Sequence, residues 1–159
     1  MVQIIHSHMP EQVGKVRSLF DQYAISVGSN LGFQNFDDEL INLPGDYTPP
    51  SGALLMAVER SVSIGCVAMR PMDRSICEMK RLFVKPARRR KGVGRQLVEG
   101  IVDEAKKAGY QSMRLDATPS MREAIGLCQS VGFLEIEPTC WNPIPGVLYF
   151  ELVLIKKKR

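Results

Sequence analysis

The chain has 159 residues, 45% apolar and 24% charged, a composition that fits one globular domain and excludes wholesale disorder or a fibrous repeat. Its longest apolar stretches, such as Ala53 to Val58 and Val147 to Phe150, are too short to cross a bilayer. The formal net charge is +4, but ten of the 21 Lys and Arg lie between Lys85 and Arg95 or in the last four residues, leaving 11 against 17 Asp and Glu elsewhere.

Val2 to Ile5 reads as a short strand, and the spacing of Val13, Val16, Leu19, Phe20, Tyr23, Ala24 and Val27 predicts an amphipathic helix over 10–27. Gly28 to Gly32 breaks it. A short second helix begins at Asp37-Asp38-Glu39, where acids suit the positive end of the helix dipole, and Pro44-Gly45 stops it. Three strands follow, Ala53 to Val58, Val62 to Met69 and Ile76 to Val84, with short polar turns between them that imply an antiparallel meander.

After a basic loop, Leu97, Val98, Ile101, Val102, Ala105 and Ala108 mark one face of a helix capped by Gly109. Met113 to Ala117 is a strand and Ser120 to Ser130 a helix. Strands around Phe133 to Ile136 and Val147 to Ile155 flank the Pro/Gly loop Asn142 to Gly146. The order is β-α-α-β-β-β-α-β-α-β-β, an α/β class chain with a mixed sheet flanked by helices. No linker or repeat interrupts it, so one domain is expected over 1–159, with 156–159 as a frayed basic tail.

No apolar run ending in a small-residue cleavage site opens the chain, so a cytoplasmic protein is expected, with no membrane partner. Cys66, Cys77, Cys128 and Cys140 form no CxxC pair, and His6 and His8 are the only histidines, so neither disulfides nor a metal site is expected.

The chemistry concentrates in Arg89-Arg90-Lys91-Gly92-Val93-Gly94, between a strand and a helix. Backbone N–H groups and a helix N-terminus at such a junction make an anion site, and glycines let the backbone approach a ligand closely. The segment is no Walker loop, lacking Gly-Lys-Ser/Thr, and no Rossmann fingerprint, because Leu97 stands where a third glycine is needed.

It resembles motif A of the GNAT N-acetyltransferases, Arg/Gln-x-x-Gly-x-Gly/Ala, with Arg89, Gly92 and Gly94 in its defined positions after the strand end Leu82-Phe83-Val84. Ala124 to Phe133 is similar to the family's A-x-x-L-Y-x-x-L-G-F stretch. Phe33 to Leu40 and Asn142 to Gly146 look like segments of small bacterial members. The resemblance implies a splayed mixed sheet and an acetyl-CoA site. Backbone amides of Arg90, Lys91, Gly92, Val93, Gly94 and Arg95 would hold the pyrophosphate, with Arg88, Arg89 and Lys91 near the phosphates. The main chain of Leu82, Phe83 and Val84 would pair with the pantetheine arm, and one of its amides would polarise the thioester carbonyl.

Direct transfer needs a neutral amine, hence a base. The resemblance places that base at Glu78; alternation would put Glu78, Lys80, Leu82 and Val84 on one face if no bulge intervenes, and Lys80 could equally form a surface ion pair with Glu78. The family's Tyr acid falls on Cys128, which acts as a weak acid or is a small core residue. Tyr110 and Tyr149 are candidate substitutes that nothing in the sequence positions, and Met121 stands where the family usually has Asn. A thiol with a pKa near ~8.5 leaves readily without an acid.

The fold that the resemblance implies puts the acceptor among 27–50 and 139–146. Phe33, Phe36, Tyr47 and Trp141 are candidate walls or core, and Asp37, Asp38, Glu39 and Asp46 candidate attractors of a cationic amine. The expected function is acetyl transfer from acetyl-CoA to a primary amine of a small molecule or a protein. The alternatives are a CoA-binding sensor without turnover, or a nucleic-acid-binding module, which would lack stacking aromatics. A homodimer is common in the family.

Overall fold

The computed structural model describes residues 1–28, 35–139, 142 and 144–155. Strand β1 (Val2–His6) leads into α1 (Pro10–Val27), which Pro10 starts and Gly28 ends in the left-handed conformation. Val13, Val16, Leu19 and Phe20 face the sheet from α1. The short α2 (Phe36–Asn42) follows, then the meander β2 (Ala53–Glu59), β3 (Val62–Pro71) and β4 (Ile76–Val84). A single 3-10 turn, Pro86–Arg88, leads to α3 (Val93–Lys107). Strand β5 (Ser112–Ala117), α4 (Arg122–Val131), β6 (Leu134–Ile136) and β7 (Leu148–Val153) complete the chain. The element order is the one expected; α1 and β4 keep their expected bounds and the other boundaries move by one or two residues.

Among the described residues, seven strands form one sheet in the order β1-β2-β3-β4-β5-β7-β6, antiparallel except for the parallel pair β4–β5. Two apolar layers cover it. On one face, Leu97, Val98, Ile101 and Ala105 of α3 and Cys128 of α4 pack on Leu55, Val67, Met79, Met113 and Leu115. On the other, α1 and Phe36 of α2 cover Leu54, Met56, Ala68 and Phe83. Among the described residues no helix is long and apolar enough to cross a membrane.

Two irregularities in β4 decide the site. The β3–β4 register jumps from Ala68↔Lys80 to Cys66↔Phe83, and Arg81 sits at φ 60°, the mark of a β-bulge. The expected single face of Glu78, Lys80, Leu82 and Val84 is therefore corrected. Cys77 and Met79 face the α3 layer before the bulge and Leu82 and Val84 face it afterwards, so alternation turns Glu78 and Lys80 to the opposite, α1 face. Secondly, β4 and β5 pair only over Ile76↔Ser112, Cys77↔Met113 and Glu78↔Arg114. Both strands continue past this last rung without pairing, and the sheet splays open.

Candidate active site

The splay is the root of a cleft that runs through the sheet. Met79, Leu82, Leu115, Ala117, Met121, Ala124, Ile125 and Cys128 line it on the α4 side; Tyr23, Lys80, Arg81, Asp116 and Asn142 line it on the α1 side. A ligand arm can enter from one face and a second reactant from the other.

Beside α4, the basic loop turns into α3. Arg90 has φ 65° and Gly92, the residue before the first turn, φ 82°. Gly92 offers no capping side chain and the first turn holds no acid, so the N–H groups of Val93, Gly94 and Arg95 are the helix's open donors. Val93 is buried, anchoring the turn in the core. A Cβ on Gly94 would stand 3.0 Å from Leu127 Cδ2, so this glycine lets α3 and α4 approach.

The basic side chains divide into separate contacts. Arg89 Nε donates to the Val84 carbonyl at 2.8 Å and its guanidinium lies over Phe83, tying the loop to the strand end. Arg95 donates to Ser130 Oγ at 2.6 Å, and Arg90 makes an exposed contact with Glu123 at 3.5 Å. Arg88 is drawn to Glu59 on β2, at 2.8 Å. Lys91 is exposed.

Glu78 stands on the last β4–β5 rung, but its carboxylate accepts from Arg70 Nε at 2.9 Å, across the β3–β4 pair. The surface ion pair considered for Lys80 is corrected: Lys80 is 9% exposed and Arg70 takes Glu78. Burial holds the Lys80 ammonium below its ordinary pKa against the raising influence of Glu78.

Arg81, missed in the sequence, is the most deeply placed charge of the site. Its side chain is 1% exposed, and Nε and Nη2 each donate to Glu39 at 2.9 Å, while Tyr23 and Phe36 stack near the guanidinium. This bidentate pair ties α2 to the bulge and compensates the left-handed backbone there.

Asp116 was also missed. It lies two residues beyond the last β4–β5 rung and accepts from Asn142 Nδ2 at 3.3 Å. Burial raises its carboxyl above the usual range, with Lys80 pulling it back. A lone acid in the otherwise apolar run Leu115-Asp116-Ala117, and two adjacent charges at Lys80-Arg81, were the available signals.

Cys128 is buried in the α3–α4 layer, where burial pushes its thiol up to about 12. Tyr110 donates to the Ser51 carbonyl at 2.6 Å and is not among the cleft walls, while Tyr149 is buried on β7 opposite Asp116. Phe36 and Tyr47 are core residues, Asp37, Asp38 and Asp46 are exposed, and Glu39 is the partner of Arg81. Phe33, Trp141 and the 156–159 tail lie outside the described residues. Among those described, no group of three His, Cys, Asp or Glu could hold a metal ion.

Comparison with known proteins agrees with this geometry. The family model for the acetyltransferase (GNAT) family matches residues 16–133. An uncharacterized N-acetyltransferase of Schizosaccharomyces pombe is 40% identical over 150 residues, covering 93% of this chain and 92% of the relative. One from Dictyostelium discoideum is 27% identical, over 90% and 94%. Among solved structures, a GNAT acetyltransferase of Staphylococcus aureus superposes with TM-score 0.78 at 16% identity, over 98% and 100% of the two chains. One from Elizabethkingia anophelis with acetyl-CoA bound gives 0.61 at 19%, over 96% and 98%. Fold, cleft and sequence converge: the chain belongs to the GNAT family of acetyltransferases.

Proposed function

We propose that this chain is a single-domain N-acetyltransferase that moves an acetyl group directly from acetyl-CoA to a primary amine of a small molecule or a protein. The observation that carries the reading is the end of β4–β5 pairing at Glu78↔Arg114, which leaves a through-sheet cleft beside the uncapped start of α3. The Elizabethkingia protein, crystallised with acetyl-CoA, supports the choice of donor.

In this reading the amides of Arg90, Lys91, Gly92, Val93, Gly94 and Arg95 hold the pyrophosphate, favoured by the helix dipole. Arg89 acts chiefly by fixing the loop to Val84. The free backbone edge of β4 beyond the bulge, from Leu82 through Phe83 to Val84, receives the pantetheine arm. An amide of that edge polarises the thioester carbonyl. Glu78, held by Arg70, stands on the last rung at the root of the cleft. Cys128 forms wall, since a thiol pushed up to about 12 is a poor proton donor to a thiolate near ~8.5.

The test follows free thiol released from acetyl-CoA in the presence of spermidine, tyramine and an alanine-ended peptide. Release above the buffer rate, with an acetylated product by mass spectrometry, is the expected result. Acetyl-CoA binding with no transfer to any amine would favour the sensor reading instead, which the thiol at Cys128 in place of a tyrosine keeps in view.

A further inference from the structure

A carboxylate placed to meet the acceptor is expected beyond the last rung of the splay, and only there, because the thioester carbon must lie where the strands have parted. Glu78 sits on the rung itself, is fixed by Arg70, and is not among the cleft walls. Asp116 lies past the rung, on the α1 face of the cleft. The surrounding guanidinium groups are committed elsewhere: Arg70 to Glu78, Arg81 to Glu39, and Arg114 to Glu151. The partner seen on Asp116 is the neutral amide of Asn142, from the loop before β7.

We propose that Asp116 is the catalytic residue that receives the acceptor's amine, holding its ammonium and then taking its proton; this rests on the acetyltransferase reading above. The chemistry balances. The carboxylate accepts one N–H proton from the ammonium, the freed lone pair forms the C–N bond at the thioester carbon, the C–S pair leaves on the CoA sulfur, and the second N–H proton passes through solvent to that thiolate, giving the neutral amide and the CoA thiol. The groups facing Asp116 fit this role. Lys80 and Glu78 approach from β4, Arg81 from the bulge, Tyr23 from α1, and Tyr149 stands opposite on β7. Burial keeps the carboxyl above its usual range, so it is a stronger base than an exposed aspartate.

The test compares Asp116→Asn and Glu78→Gln with the unaltered protein, using the most rapidly acetylated amine of spermidine, tyramine and the alanine-ended peptide. Hydroxylamine, which is neutral at pH 7, is the control nucleophile. Acetyl-CoA-induced stabilisation monitors the donor site. Asp116→Asn is expected to bind acetyl-CoA normally, to lose transfer to the alkylamine on the order of a hundredfold, and to retain transfer to hydroxylamine, while Glu78→Gln loses less. Unchanged alkylamine transfer in Asp116→Asn overturns the assignment. So does an equal loss with both nucleophiles, or a larger loss in Glu78→Gln. If the unaltered protein acetylates neither alkylamine nor hydroxylamine although acetyl-CoA stabilises it, the transferase reading fails and this assignment with it.

Discussion

A guanidinium whose side chain is 1% exposed is held inside a protein only with its charge matched, and Glu39 supplies both hydrogen bonds to Arg81. Removing one partner of such a pair strands a buried charge. Glu39→Ala is therefore expected to lower unfolding free energy by about 3–5 kcal/mol in a urea titration. Asp116 behaves in the opposite sense. Its carboxyl is raised above the ordinary 3.8 in the folded state, so folding takes up protons in the window above that value, and stability falls as pH rises through it. Asp116→Asn removes that slope, which melting curves across mildly acidic pH will register as a flatter dependence. The contrast with the glycine loop is instructive. Arg89, Gly92 and Gly94 are legible from the sequence because their roles depend on spacing along the chain. Arg81 and Asp116 are not, because a positive φ and a strand divergence arise from pairing between distant segments.

At the scale of elements, the strongly periodic α1 and α3 and the order of all eleven elements can be read from apolar spacing and turn residues. The bulge in β4 cannot, since Lys80-Arg81-Leu82 offers no glycine or other turn residue to announce it. Its effect is large: it turns Leu82 and Val84 away from the face that holds Glu78 and Lys80. The start of α3 is the second device of this kind. Gly92 has φ 82° and nothing within 4 Å of where a Cβ would be, so Gly92→Ala carries backbone strain without a clash. A loss of roughly 1–2 kcal/mol is expected from thermal unfolding. Gly94→Val differs, because its added atoms drive against Leu127 on α4. It is expected to weaken acetyl-CoA binding more than Gly92→Ala does, as read by titration calorimetry.

Over the whole molecule, six of the 21 Lys and Arg fall between Lys85 and Arg95 with no acid among them, and Arg90 and Arg95 of this run reach α4. Such a focus suits a compact polyanion at one site better than an extended nucleic-acid track. In the proposed reading the two reactants come from opposite faces of the sheet and meet where β4 and β5 have separated. The most direct measurement is a melting-temperature titration with acetyl-CoA at about 150 mM salt, beside free CoA. A ligand that binds the folded state alone raises the melting temperature in step with its concentration. Such a rise is expected with acetyl-CoA. No shift at millimolar acetyl-CoA would contradict it, because the turn from Arg89 to Arg95 would then hold no pyrophosphate.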